Sequence, residues 1–324
     1  MNRYIQEQGF NQAATADEID LRELFSVIWQ GKWLIIAITT VFAIGSVIFA
    51  LMQADIYQSE ALLAPASEQQ GSMGGLADKF GGLASLAGVN LAGGGEVDKT
   101  QMAIAIMESR QFASNFIQKH DILPDLMAAE QWNMSDNTII YNSNIYDKSN
   151  KKWLRQVKPP FKSQPSMQEA YKEFKKILVI NSEKDTGMVT VAIEHLSPVI
   201  AQRWVTWLVE DINQVMKERD VNEANRSIEF LTKQVALTHV ADIRSVLYKL
   251  IEEQAKTIMF AEVRDEYTFK TIDPALVPEQ KSGPKRALIC VLGTMLGGML
   301  ASMIVLIRYF VRKENDTISL EPKI

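Results

Sequence analysis

Trp33 to Ala54 reads WLIIAITTVFAIGSVIFALMQA, 22 residues without a charged side chain. A helix of that length reaches roughly 33 Å, enough for the ~30 Å hydrocarbon core of a bilayer. A second uncharged run, ALICVLGTMLGGMLASMIVLI, extends from Ala287 to Ile307 between Lys285-Arg286 and Arg308. The competing reading is a buried core helix or, for the first run, a secretory signal. A signal starts with a short basic stretch and ends at a small-residue cleavage site. Here 32 residues, several of them acidic, come first. Both runs are therefore read as transmembrane helices. They divide the chain into an N-terminal tail (1–32), a first span (33–54), a large domain (55–286), a second span (287–307) and a C-terminal tail (308–324).

Two spans put both tails on one side of the membrane and the large domain on the other. The tails carry Arg3, Arg22, Lys32, Arg308, Arg312, Lys313 and Lys323, while residues 55–74 contain no Lys or Arg. That bias places the tails in the cytoplasm. Lys281, Lys285 and Arg286 stand on the opposite side of the second span and weaken it. The large domain holds 27 basic and 31 acidic residues and no cysteine. The single cysteine, Cys290, lies inside the second span, so neither a disulfide framework nor a Cys-cluster metal site is possible within the chain. A net charge of -5 gives no electrostatic case for nucleic acid. Three histidines (His120, His195, His239) leave little for a metal site.

Within the second span, Gly293, Gly297 and Ala301 recur at four-residue spacing. Small residues on one helix face allow close backbone approach. The candidate partners are the first span or a neighbouring subunit; the plain alternative is that glycine is common in membrane helices.

The pattern of the large domain predicts an α+β fold. Ile56–Ala64 suits a strand, and Gly71 to Gly95, nine of whose 25 residues are glycine, reads as a loop without phosphate-loop spacing. Asp98–His120 has helical periodicity, with Pro124 as a stop, and residues 132–165 read as polar surface loop. The aromatics Trp132, Tyr141, Tyr146 and Trp153 within that loop either cap a core edge or stack on sugar rings. Ser166-Met-Gln-Glu169 is a capping box opening a helix over Met167–Lys176. Ile177–Asn181 and Met188–Glu194 form a hairpin around the turn Lys184-Asp-Thr-Gly187, and Tyr267–Ile272 alternates again. With strands at both ends of the domain, the sheet is expected near the membrane.

Ser197-Pro198 opens a long helix, with serine as N-cap and proline at the first helical position. No proline or glycine follows until Pro274. Ile200, Trp204, Leu208, Ile212 and Val215 form one stripe, and Val240, Ile243, Val246, Leu247, Leu250, Ile251 and Ile258 a second. A bend is expected at Thr238-His239. A helix from 198 to about 237 would span ~60 Å, more than a small domain is wide. The pattern therefore predicts a helical arm over about 197–262. Its polar stretch Lys217–Arg226 is either a solvated face or a lining towards other subunits. Near the second span, Pro274, Pro278 and Pro284 keep the chain extended and stop a helix running straight out of the membrane.

No catalytic motif is present: no GxSxG, HExxH, DxD cluster or Walker sequence. The paired carboxylates Glu210-Asp211 and Glu252-Glu253 sit among basic residues, where surface salt bridges explain them. The chain is expected to be no enzyme and to need no cofactor.

The segment Ile272-Asp-Pro-Ala-Leu-Val-Pro-Glu-Gln-Lys-Ser-Gly-Pro-Lys-Arg-Ala-Leu-Ile289 resembles the proline-rich approach to the second span in polysaccharide chain-length determinants, the Wzz-type polysaccharide co-polymerases. Glu18-Ile-Asp-Leu-Arg-Glu-Leu24 with Ile28-Trp-Gln-Gly-Lys-Trp33 resembles that family's entry to the first span. Ser166–His195 followed by Ser197-Pro198, and Leu247–Lys256, are similar to it as well. The resemblance covers the whole chain.

The resemblance implies a protein of the bacterial inner membrane with its domain in the periplasm. It implies a membrane-proximal base, a long helical hairpin and a homo-oligomeric ring, commonly of eight subunits. Its expected role is to set the length of O-antigen or a related lipopolysaccharide polymer together with a Wzy-type polymerase. Polysaccharide or lipid-linked sugar is an open further partner. The chain ends 17 residues after its second span, which separates it from the family's kinase branch and leaves no output domain for a sensor. The alternative reading is a structural component of a capsule or exopolysaccharide export complex.

Overall fold

The computed structural model describes residues 21–66 and 99–318. The glycine-rich Gly71–Gly95 stretch lies outside the described residues, as do most of the N-terminal tail and the last residues of the C-terminal tail. Helices α1 (Leu21–Gln30) and α2 (Lys32–Met52) come first, then strand β1 (Tyr57–Pro65). Helices α3 (Lys99–Met107), α4 (Arg110–Lys119) and α5 (Leu123–Met127) follow. Two small hairpins come next: β2 (Ala129–Asn133) with β3 (Thr138–Tyr141), and β4 (Tyr146–Asp147) with β5 (Lys152–Trp153). Then come α6 (Met167–Ile177), β6 (Leu178–Ser182), β7 (Val189–His195), the long α7 (Pro198–Leu237), α8 (Ala241–Val263), β8 (Phe269–Asp273) and α9 (Arg286–Ile318).

The chain divides into two compact units: Ala54–Gly283, and the remaining N- and C-terminal segments, which hold α1, α2 and α9. Two apolar helices thus flank an α+β domain. In that domain β6, β7, β1 and β8 form, in this order, a four-stranded antiparallel sheet. Register pairs Ser59 with Ile193, Ala61 with Val191 and Leu63 with Val189, and all six side chains are buried. The alternation along β1 therefore turns one face to a core. That core is closed by Trp204, Leu208, Ile212 and Met216 from α7, and by Met107, Phe116 and Phe174 from α3, α4 and α6. The four α7 residues repeat every four positions, so one helical face supplies them.

Three expectations are corrected. The helix expected over 98–120 is two helices. Ser109 adopts an extended conformation, and its hydroxyl accepts the Phe112 N–H at 3.2 Å, so serine starts a new helix instead of continuing one. Pro124 does not stop a helix but sits in the first turn of α5, where its missing N–H leaves no bond unmade. Residues 132–165 hold the second hairpin and all but the start of the first, and the two turns use Asn137 and Lys151 at positive φ. Their polar composition hid strands this short.

Candidate functional site

The pair α2 and α9 is apolar on nearly all sides. Trp33, Val41 and Met299 are 75%, 68% and 67% exposed. Both helices are long and apolar enough to cross a bilayer, which fits a membrane protein. The face that is covered runs along Gly293, Gly297, Ala301 and Val305 of α9. A Cβ on Gly293 would lie 2.5 Å from Ser46 Cβ, and one on Gly297 would lie 2.5 Å from Phe42 Cβ. Ala301 is fully buried. This seam meets the first span of the same chain. Gly31, between α1 and α2, belongs to the same close packing: a Cβ there would lie 2.5 Å from Val305 Cγ1. Its position outside the uncharged run concealed it.

At the other end of this pair, the Arg286 guanidinium donates to the carbonyls of Ala50 at 3.1 Å and Gln53 at 3.2 Å. These carbonyls end α2 and lack helical partners, and a cation is favoured at a helix C-terminus. A charge that the sequence offers as an argument about orientation thus joins two helices.

Of the three prolines, Pro274 directly follows β8, Pro278 lies in an irregular stretch and Pro284 stands two residues before α9. The stretch after β8 is held by side chains. Ser59 Oγ donates to the Leu276 carbonyl at 2.7 Å, and Gln202 Nε2 to the Ala275 carbonyl at 3.3 Å. Its end pairs with the start of the domain. Ile56 N–H donates to Gly283 at 2.9 Å, Ser282 N–H to Ile56 at 2.9 Å, and Lys281 bridges Asp55 at 3.0 Å. Where the chain enters the domain and where it leaves are hydrogen-bonded side by side.

Polar side chains of α7 fix the root of the arm. Asp211 is buried and accepts from Lys119 Nζ at 2.6 Å and His120 Nε2 at 3.0 Å at the end of α4. The His120 ring stacks on Trp207 at 4.2 Å. Asp211 is therefore not the exposed surface charge expected from the sequence, although Glu210 beside it is exposed. Asp220 joins Lys99 at 3.1 Å and the Tyr267 hydroxyl at 2.7 Å. Glu252 and Glu253 do form surface bridges, both to Lys256.

The aromatics of the hairpins pack on one another. Trp132 meets Tyr57 edge-on, its indole N–H bonded to Asn137, and Tyr146 lies between Tyr141 and Trp153. They form a satellite core. Among the described residues, no group of three or more His, Cys, Asp or Glu side chains could hold a metal ion.

Residues 17–120 match the family model Wzz, described as chain length determinant protein. Over this stretch, about a third of the chain, it resembles the Wzz-type chain length determinants. A second model, GNVR, "G-rich domain on putative tyrosine kinase", matches residues 232–310 of the chain. Among solved structures it is similar to a full-length bacterial polysaccharide co-polymerase. The identity is 13%, over 91% of this chain and 99% of that one, with a TM-score of 0.37. It is also similar to a fragment of WzzB, a polysaccharide co-polymerase from Salmonella Typhimurium. Here the identity is 11%, over 71% of this chain and 100% of that one, with a TM-score of 0.27. No curated protein matches.

The helical hairpin is made by α7 and α8, joined through Thr238–Val240. The outer half of α7 buries only Ala224, so the polar stretch 217–226 is largely solvated within the chain. Phe230 and Leu237 remain 61% and 71% exposed, and Ile243 and Val246 on α8 are exposed as well. An open groove between the helices is lined by Arg226, Phe230, Leu231 and Leu250.

Proposed function

We propose that this chain is a non-enzymatic regulator of polysaccharide length, with the O-antigen of lipopolysaccharide as its polymer. In this reading it is an inner-membrane scaffold with residues 55–286 in the periplasm, and it acts as a homo-oligomeric ring beside a Wzy-type polymerase. The observation that carries the proposal is the family match over 17–120, which takes in the first span and β1. The geometry is in keeping with a scaffold. Apolar side chains on the outer arm are left for neighbouring subunits, and the proline segment and the tie between Ile56 and Gly283 hold the domain's two connections together. The seam at Gly293, Gly297 and Ala301 serves the helix pair in each subunit.

The test is deletion of the gene in its host, with surface polysaccharide resolved on a silver-stained gel. Loss of the modal cluster of bands, with polymer still made and the mode restored by a plasmid copy, is the expected result. An unchanged ladder overturns the O-antigen assignment.

The match of residues 232–310 to the GNVR model favours a second reading, a structural part of capsule or exopolysaccharide export. In that case deletion abolishes surface polymer altogether, and an outer-membrane channel is recovered with the purified protein.

A further inference from the structure

We propose that His195 is an acid-sensitive latch at the root of the arm, holding the first turn of α7 to α5 while neutral and releasing it when protonated. The ring closes β7 and is 7% exposed. Its Nδ1 accepts the Ser197 N–H at 3.0 Å, and its Nε2 faces the Asp125 carbonyl of α5 at 3.3 Å. A backbone N–H can only donate and a carbonyl can only accept. The two partners therefore require a lone pair on Nδ1 and a proton on Nε2. Exchanging the two nitrogens does not accommodate the doubly protonated ring, because one of its N–H groups would then confront the Ser197 N–H.

The partner on Nδ1 is the residue that starts the arm. Ser197 is the N-cap of α7: its hydroxyl accepts from Ile200 at 3.4 Å and its carbonyl from Ala201 at 3.0 Å. The start of a 40-residue helix is also where a positive charge is least favourable. The ionisable groups around the ring do little to offset this. From α5 comes Asp125, whose carboxylate already accepts the Tyr141 hydroxyl of β3 at 2.5 Å. From β1 comes Tyr57, the register partner of His195. The first turn of α7 holds no acidic residue, and Trp204 presents only its ring, at 5.0 Å. Glu194 precedes His195 on its own strand. Burial outweighs Asp125, so the imidazole titrates below its ordinary range.

A group whose folded pKa is lowered binds more protons once it is released. The closed state is therefore unaffected above pH ~6.5 and loses ground as pH falls from there towards the folded value. Within that window each pH unit raises the open-to-closed ratio by up to about tenfold.

Amide hydrogen exchange on the full chain in lipid nanodiscs, between about pH 7.5 and 4.5 and corrected for intrinsic exchange chemistry, reads this ratio directly. The expected result is a rise in opening at Ser197, Ile200 and Ala201 of up to about tenfold per unit below pH ~6.5, with Leu208–Ile212 unchanged. His195→Gln should abolish the rise, because its amide offers an acceptor and a donor without titrating. Equal opening at all pH values overturns the proposal, as does the same rise in His195→Gln. Should that variant not fold, the wild-type profile decides: a rise confined to 197–201 supports the latch, and one spread along α7 overturns it.

Discussion

Asn213 takes the place of a β-strand for Phe269. Its Oδ1 accepts the Phe269 N–H at 2.8 Å, and its Nδ2 donates to the Phe269 carbonyl at 3.0 Å. The same Oδ1 accepts the Thr268 N–H at 2.8 Å. Among the described residues strand β8 has a strand neighbour only in β1, and its other edge would carry unpaired backbone groups. A helix has no free backbone groups in its middle, so α7 closes that edge with a side-chain amide. Glu266 closes it further along by accepting the Thr271 N–H at 2.9 Å.

Asn213→Ala leaves three buried backbone groups without partners. The expected loss is about 2–4 kcal/mol, measured by denaturant unfolding of the domain. Thr268→Val should act in the opposite direction. The buried Thr268 Oγ1 has no hydrogen-bond partner, so an isosteric methyl should be neutral or stabilising by up to about 1 kcal/mol.

Glu169 makes the domain acid-sensitive. Arg155 bonds it bidentately at 2.7 and 3.0 Å, and Ser166 N–H adds a third bond at 3.0 Å. Led by Arg155, these partners push its carboxyl down to about 2. A lowered carboxyl pKa stabilises the fold fully above the unfolded value of about 4.5, and that contribution disappears as pH falls through about 2. Both side chains remain partly exposed, which limits the term to about 1–2 kcal/mol. In melting curves, Glu169→Gln should lower stability at neutral pH and flatten its decline between about pH 4.5 and 2.

The seam of the helix pair can be tested for compensation. Gly293→Ala places a Cβ 2.5 Å from Ser46 Cβ and should cost about 1–3 kcal/mol of thermal stability in detergent. Ser46→Gly removes the opposing atom. The double variant should recover part of the loss, with a coupling of about 0.5–3 kcal/mol. Strictly additive effects would show that this contact does not set the helix separation.

Asp211→Ala should destabilise by about 1–3 kcal/mol rather than the larger loss of a fully buried pair, because Lys119 is mostly exposed and regains water. The cost comes chiefly from His120, confined against Trp207 and left without its acceptor. Asp211→Asn, which retains an acceptor oxygen, should lose less in the same unfolding measurement.

The features legible in advance were those specified within one segment. Ser197-Pro198 marks the start of α7, Ser166 and Glu169 form the capping box of α6, and the turn before Gly187 joins β6 to β7. Features set by residues far apart were not legible. Asp211 reads as surface charge until Lys119 and His120 arrive from 92 and 91 positions away. Ser109 is the local exception: its hydroxyl caps a helix through the N–H three residues on, but the unbroken apolar periodicity around it hid the break. Gly31 and Arg286 have no periodic pattern around them, and each acquires its role only from a helix at the opposite end of the chain.

Run length, periodicity and local caps were enough to read the two apolar helices, the capping-box helix with the hairpin after it, and the length of the arm. Each of these depends on hydrophobic run length, periodicity or a local cap, which the chain carries within a few turns. The folded chain alone shows which polar groups are buried, that Asn213 closes the sheet edge, that Ile56 meets Gly283, and that His195 lies between the Ser197 N–H and the Asp125 carbonyl. Those depend on donors meeting acceptors across tens to hundreds of residues. A side chain's hydrogen-bonding capacity is written in its type, but its partner is chosen by the packing of the apolar core.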